Sequence, residues 1–178
     1  MELAEEQIRG IIARVGAYMQ RERERHFGSG IPLNEVQRGP LKSYFSAKLL
    51  DAVRVLVLEG ARIDPAPFSD NAKALGFTGL PDFEHLASFT YVDVIVFPEK
   101  ITPRTLFHGL VHAAQFSVLG LDRYVERYVR AFVKTGLWIS IPLEEQAFKS
   151  EARFALSPPE MFSVEDEIRL FEEQGRYQ

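Results

Sequence analysis

Apolar residues fall into two kinds of pattern along this chain. Over residues 3–26 they recur at close to the 3.6-residue spacing of a helix, with charged residues on the other side. In the middle of the chain they form β-branched runs at residues 52–58 and 89–97, which are typical of strands. The pattern therefore predicts an N-terminal helix and a small sheet that contains at least these two strands.

The remainder of the chain is patterned for helices. Thr102 and Pro103 form an N-cap with proline at the first helical position, and Asp122 is expected to cap the next helix. Shorter helical signals lie after Pro40, around residues 44–50, and near residues 71–75. The helices predicted after the second strand cover residues 103–118, 122–135, 142–155 and 163–173. Together these elements predict an α+β fold in which a small β-sheet packs on a mainly helical body.

Composition limits the chemistry. The chain has 178 residues, 46% of them hydrophobic and 26% charged, which is the composition of a globular protein. We therefore expect one domain over residues 1–178, with the N-terminal helix at residues 1–26. The chain has no Cys, which excludes disulfides, thiolate catalysis, iron–sulfur clusters and zinc sites that contain Cys. Imidazole and carboxylate groups would have to bind any metal ion.

Charge and hydropathy indicate the kind of partner and the compartment. The formal net charge is −4, and basic residues are interspersed with acidic ones, so we expect no nucleic acid and no membrane surface as the main partner. The first residues are acidic and lack the basic start and apolar core of a secretory signal. No apolar run reaches the ~18 residues that span a bilayer. These features predict a cytoplasmic protein.

Two of the four His residues have a spacing that is typical of metal ligands. His108 and His112 are four residues apart in the helix predicted after the second strand. Such a pair lies on one helical face with Cβ atoms about 5–6 Å apart, which lets both imidazoles reach a single metal ion. The alternative is a pair of buried histidines with ordinary hydrogen bonds. The sequence alone leaves both interpretations open.

The segment from about residue 90 to residue 154 resembles the gluzincin-type zinc metallopeptidases, and is most similar to their small bacterial forms. In that class a helix carries His-Glu-x-x-His and a Glu on a later helix supplies the third zinc ligand. Here Glu144, followed by Ala147, matches the Glu-x-x-Ala pattern of the later helix. The resemblance implies a zincin-like metal-site core at residues 90–155, with zinc bound by His108, His112 and Glu144.

Two further acidic residues lie on the helix of Glu144. Glu151 shares its face seven residues on, and we expect it to accept a hydrogen bond from a ligand imidazole. Glu145 points about 100° away and is expected to face solvent or to form an ion pair.

The sequence departs from the resemblance at position 109. Gly109 stands where the peptidase family has the Glu that takes a proton from the zinc-bound water. General acid–base catalysis contributes about 10²–10⁴ in rate, so we expect an impaired or inactive peptidase. Glycine also costs about 1 kcal/mol relative to Ala inside a helix. Either the base is lost on a retained scaffold, or the missing side chain opens room beside the metal.

Other residues are weaker candidates for the same site. Tyr124 and Tyr128, and Tyr91 on the strand, are candidates to polarise a metal-bound carbonyl, although tyrosines at helical spacing are common in cores. The resemblance implies that the strand at residues 91–97 is an edge that pairs with an extended peptide. His85 and His26 are expected to lie outside the site.

The sequence thus predicts a zinc-binding, metallopeptidase-like protein whose enzymatic activity is in doubt. One alternative is a non-catalytic module that binds a peptide or protein on the peptidase scaffold. A second is a metal-free helical protein with a structural role. Substrate, partner, metal identity and oligomeric state are left open by the sequence.

Overall fold

The β-branched runs form a small sheet and the amphipathic segments form helices around it. The computed structural model describes residues 3–66, 69–74, 76–83, 85–158 and 160–178. The α+β class predicted from the sequence is confirmed. The strands are β1 (Ile31–Pro32), β2 (Arg54–Val57), β3 (Phe89–Tyr91) and β4 (Val94–Phe97). The described helices are α1 (Glu5–Phe27), α2 (Glu35–Arg38), α3 (Ala47–Ala52), α4 (Ser69–Ala74), α5 (Pro103–Leu119), α6 (Leu121–Thr135), α7 (Pro142–Phe154) and α8 (Val164–Glu173).

The sheet has four strands in the order β1-β2-β4-β3. Strands β2 and β4 are parallel, and the two outer pairs are antiparallel. All four residues of β4 are buried, because this strand has neighbours on both sides and helices packed on it. An apolar, β-branched strand suits such a central position.

The run at residues 89–97 is a hairpin, so the prediction of one strand is wrong. Tyr91 pairs with Val94, and Val92 and Asp93 form the two-residue turn between β3 and β4. Val92 has a φ of 60°, a conformation that a β-branched residue rarely adopts, and no glycine marks the turn. The expected edge at residues 91–97 is also wrong in part. Strand β4 is central, and only β3 lies at the edge.

Several smaller predictions need correction. Helix α6 begins at Leu121 with Gly120 as its N-cap, one residue before the predicted Asp122. The helical signal at 44–50 corresponds to α3, which begins later, at Ala47, and is capped by Ser46. Strand β1 has only two residues, and no hydrophobic pattern in the sequence predicts it. The turn predicted at 71–75 falls in α4, although residue 75 lies outside the described residues, as do residues 1 and 2 of the predicted N-terminal helix.

Helix α5 lies at the centre of the molecule. Thr102 caps its first turn by accepting a hydrogen bond from the Thr105 amide, and Pro103 occupies the first helical position. From Leu106 to Phe116 nearly every side chain is buried, because the helix contacts β3 and β4 on one side and α6, α7 and α8 on others. A helix that is apolar on most of its circumference is one buried by neighbours on several sides.

Helix α1 covers β3 and α6. Its apolar face, predicted from the 3.6-residue spacing, packs against the core, and Tyr18 and Met19 are buried. Arg23 makes two hydrogen bonds of 2.7 and 2.8 Å to the Asp93 carboxylate in the β3–β4 turn. Near the other end, Arg130 of α6 makes a similar pair of bonds to Glu5. Two bidentate ion pairs therefore fix α1 along its length.

Among the described residues, no helix is both long and apolar enough to cross a membrane.

The pair between Arg23 and Asp93 is expected to contribute measurably to stability. Both side chains are less than one-third exposed, at 27% and 28%, and the geometry is bidentate. Arg23→Gln should therefore lower the free energy of unfolding by about 1 kcal/mol in urea titrations. The matched control is Arg169→Gln, since Arg169 and Asp166 form an exposed pair within one turn of α8. Equal effects of the two substitutions would contradict the assigned role of Arg23.

Candidate metal site

Helices α5 and α7 bring three potential ligands together. His108 and His112 lie one turn apart on α5, and their Nε2 atoms are 3.1 Å apart. Glu144, in the first turn of α7, places its Oε2 atom 3.3 Å from the Nε2 of His112 and 3.8 Å from that of His108. In the part of the chain that the structure describes, these residues form a group whose candidate ligand atoms lie within 4.8 Å of one another. The group could hold a metal ion.

His108 is held in place by a carboxylate. Its Nδ1 lies 3.1 Å from Oε2 of Glu151, and Arg104 bonds the other carboxylate oxygen at 2.7 to 2.8 Å. A carboxylate oxygen only accepts, so Nδ1 is the protonated nitrogen and Nε2 carries the lone pair. The hydrogen bond to His108 lowers the pKa of Glu151. Burial lowers the pKa of His108, against the opposing effect of Glu151.

His112 is held by an amide. Its Nδ1 lies 2.9 Å from Oε1 of Gln115, which also only accepts, so His112 has the same tautomer as His108. The Gln115 amide nitrogen donates to the Leu143 carbonyl at 2.9 Å and to Oε1 of Gln146 at 3.0 Å, which fixes its orientation. Two imidazole lone pairs and a carboxylate oxygen thus converge on one point. Three acceptors in that arrangement are satisfied by a cation or a shared proton.

Electrostatics within the group follow from burial and from Glu144. Burial acts to lower the pKa of His112, but the charge and hydrogen bond of the Glu144 carboxylate outweigh it, so the pKa lies above its ordinary value. Burial acts to raise the pKa of Glu144, and the two histidines overcome it, so this pKa is lowered. Glu144 is therefore the anionic member, and its place in the first turn of α7 suits the helix dipole.

Tyr124 and Tyr128 lie beside the group and form hydrogen bonds with two of the three candidate ligands. The Tyr128 hydroxyl donates to Oε1 of Glu144 at 3.2 Å, and the Tyr124 hydroxyl lies 3.2 Å from Nδ1 of His112. Burial raises the pKa of both hydroxyls well above its ordinary value, so both remain neutral. Because Nδ1 of His112 carries a proton, the Tyr124 hydroxyl accepts a hydrogen bond at this contact. Their hydrogen bonds orient the ligands of the group.

Gly109 is required by the packing of α5 on the sheet. A Cβ atom at this position would lie 2.7 Å from Cγ2 of Ile95 and 3.3 Å from Oγ1 of Thr90. Thr90 also donates a hydrogen bond of 3.1 Å to the Gly109 carbonyl. The suggestion that the missing side chain opens room beside the metal is therefore wrong, because the sheet occupies that space. Close helix–strand contact offsets the helix-propensity cost of the glycine.

The remaining sequence candidates lie outside the group. Glu145 is exposed and pairs with Lys149 at 3.1 Å. The Tyr91 hydroxyl lies 3.2 Å from that of Tyr18. His85 is exposed beside Asp82. His26 stacks on the ring of Tyr91.

Sequence reasoning missed the residues that support the ligands. Gln115 had a signal, since it lies three residues after His112 and so on the same face of the helix. Gln146 and Phe148 come from α7, and the ring of Phe148 packs against that of His108 with centroids 4.6 Å apart. Tyr177, near the C-terminus, donates a hydrogen bond to Gln146. These contacts depend on how the helices pack, which local patterns do not reveal.

A cavity of about 180 Å³ reaches two of the three candidate ligands. Its walls come from α1, α6, β3 and residues in the range 66–83, and His112 and Glu144 lie among them. The other lining side chains are mainly apolar. They include Val15, Met19, Phe77, Phe89, Val129 and Val133.

Comparisons with known proteins identify no relative. No protein-family model matches the chain, and neither the curated proteins nor the solved structures include one that is similar to it.

Gly109→Ala should destabilise the protein although Ala is the better helix former. Ile95 is fully buried and its Cγ2 is fixed on Cβ, so the added methyl group forces α5 away from the sheet at a cost of about 1–3 kcal/mol. The matched control is Gly16→Ala in α1, where nothing lies within 4 Å of the new Cβ, and which should stabilise by up to about 1 kcal/mol. Urea unfolding of both variants tests this, and a stabilised Gly109→Ala variant would refute the packing argument.

Proposed function

We propose that this protein binds zinc through His108, His112 and Glu144 and does not cleave peptides at that centre. The observation that carries the proposal is the convergence of the two Nε2 atoms and one carboxylate oxygen, with each imidazole held through its other nitrogen. Zinc ligands in proteins are typically held in this way by a carboxylate or carbonyl acceptor. The three protein ligands leave a coordination position for water or a bound molecule.

The donor chemistry favours zinc over harder cations. Two imidazole nitrogens and one carboxylate suit Zn²⁺, whereas Mg²⁺ and Ca²⁺ prefer sites made of oxygen ligands. Other first-row ions bind to the same type of site, and their affinities follow the usual order for divalent metals. Zinc is the member of that series that matches the resemblance seen in the sequence.

The lack of a general base beside the proposed zinc ion supports a centre that does not hydrolyse peptides. Position 109 carries no carboxylate, and the contact with Ile95 leaves no space for one. Among the described residues that line the cavity, Glu144 is the single acidic side chain, and it is a ligand of the proposed centre. Glu151 is engaged by His108 and Arg104. A zinc-bound water would therefore lack the general base that contributes about 10²–10⁴ in rate.

Zinc content and thermal stability test this proposal together. Purified protein exposed to zinc and then dialysed should retain one zinc ion per chain by elemental analysis. Free zinc at about 100 times the dissociation constant should stabilise the fold by about 2.7 kcal/mol. His108→Ala and Glu144→Gln should abolish both effects, whereas His85→Ala, at an exposed histidine, should leave them unchanged. Circular dichroism checks that each variant is folded.

The same samples discriminate the alternatives. Zinc-loaded protein should not cleave casein or a fluorogenic peptide mixture, and cleavage that His108→Ala abolishes would contradict the absence of hydrolysis. A folded wild-type protein that retains no zinc would favour the metal-free helical protein. A scaffold that binds a peptide or protein would also retain zinc. It would be distinguished by a peptide or protein bound in the cavity.

Glu151 should act on zinc affinity through His108. Glu151→Gln replaces the acceptor of the Nδ1 proton by a weaker, neutral one, so we expect zinc affinity to fall about 10–100-fold in a chelator competition assay. Glu145→Gln is the matched control on the same helix, because Glu145 is exposed and bonds only to Lys149 in the described contacts. Equal affinities of the two variants would show that Glu151 does not support the ligand.

A further inference from the structure

Two of the three proposed zinc ligands line the cavity. They are His112 and Glu144, and the hydroxyls of Tyr124 and Tyr128, which also line the cavity, are directed at these two residues. Most of the other lining side chains are aliphatic or aromatic, and many of them belong to α1 and α6. Binding sites for small molecules typically combine an apolar enclosure with a few polar groups that fix one end of the ligand.

The volume of the cavity sets the size of a ligand. A dry apolar cavity of about 150 Å³ is known to accept benzene, a molecule of six carbons. The cavity here is slightly larger, at about 180 Å³. It therefore suits an apolar group of about six to eight carbons, and a longer acyl chain would extend beyond it.

The charge of the proposed zinc centre determines which head group a ligand of the cavity should have. Zn²⁺ with one carboxylate ligand and two neutral imidazoles leaves a single net positive charge, and two of these ligands, His112 and Glu144, are buried. Glu151 does not neutralise this charge alone, because the Arg104 guanidinium binds it as well. A monoanion that offers an oxygen ligand balances the charge, whereas a cation or a dianion does not.

We propose that the cavity binds a free monocarboxylate with an apolar tail of about six to eight carbons, with its carboxylate on the zinc ion and its tail between α1 and α6. This inference rests on the proposed zinc centre. It assigns the centre to the recognition of a small amphipathic acid, and it requires no bond to be made or broken. The protein then acts as a metal-dependent binding protein for that acid.

Calorimetric titration with octanoate tests the proposal. We expect octanoate to bind zinc-loaded protein at least tenfold more tightly than metal-free protein. Affinity should rise about fourfold per methylene from butyrate to octanoate, and dodecanoate should bind no more tightly than octanoate, because the cavity is filled. Octyltrimethylammonium, which has the opposite charge, should not bind.

Two substitutions locate the tail. Val133→Phe fills the cavity from α6 and should weaken octanoate binding at least tenfold while the zinc content stays at one per chain. Val36→Phe is the control, since Val36 is 86% exposed and does not line the cavity. The length series on the wild-type protein gives the same information if Val133→Phe does not fold.

The outcomes separate this inference from the proposed function. If zinc binds and octanoate does not, or if octanoate binds equally with and without zinc, the inference is overturned and the zinc centre stands. Arg14 also lines the cavity, from the exposed side of α1, so loss of binding in Arg14→Gln without any dependence on zinc would place the carboxylate there instead. If no zinc binds, the proposed function fails and the zinc-held carboxylate fails with it.

Discussion

The contact between helix α5 and the sheet is the constraint on which the rest of the structure depends. The helix lies so close to Ile95 and Thr90 that only glycine fits at position 109. This approach fixes the rotation of α5 about its axis, so His108 and His112 face Glu144 of α7. The helices α6, α7 and α8 then pack on the remaining sides of α5. The position of both imidazoles is therefore a result of apolar packing.

A buried polar network grows from that packing. Each imidazole has a partner at Nδ1. One of these partners, the Gln115 side chain, also donates hydrogen bonds to the backbone of α7 and to Gln146. Buried polar groups are costly unless they are paired, and a connected network fixes one arrangement of its members. The Glu144 carboxylate adds a charge that requires a cation nearby. Helix packing, ligand orientation and charge thus favour the same arrangement at the site.

The sequence predicts most helices and the His pair because those signals are local. The α1 apolar face, the Thr102 cap and the spacing of His108 and His112 all depend on residues within a few positions of one another. The turn at Val92 is not predicted because β-branched residues are rare in turns. The pairing of Tyr91 with Val94 in the structure shows it. The cavity and the Gln146 contacts join segments far apart in the chain, so no local pattern carries them. The sequence marks Gly109 as an unusual residue inside a helix, but the reason for the glycine is its contact with the sheet, which the sequence does not show.

The packing at Gly109 also bears on how the sequence of this protein could change. A carboxylate at position 109 would need a smaller side chain at position 95 in the same molecule, because the two positions share one volume. Effects of substitutions in direct contact are not additive, and either change alone lowers stability, the first by overpacking and the second by leaving a void in a buried strand. Gain of a base on this helix is therefore a two-step path through a less stable protein. The close helix–sheet contact acts as an epistatic barrier between this site and a hydrolytic one.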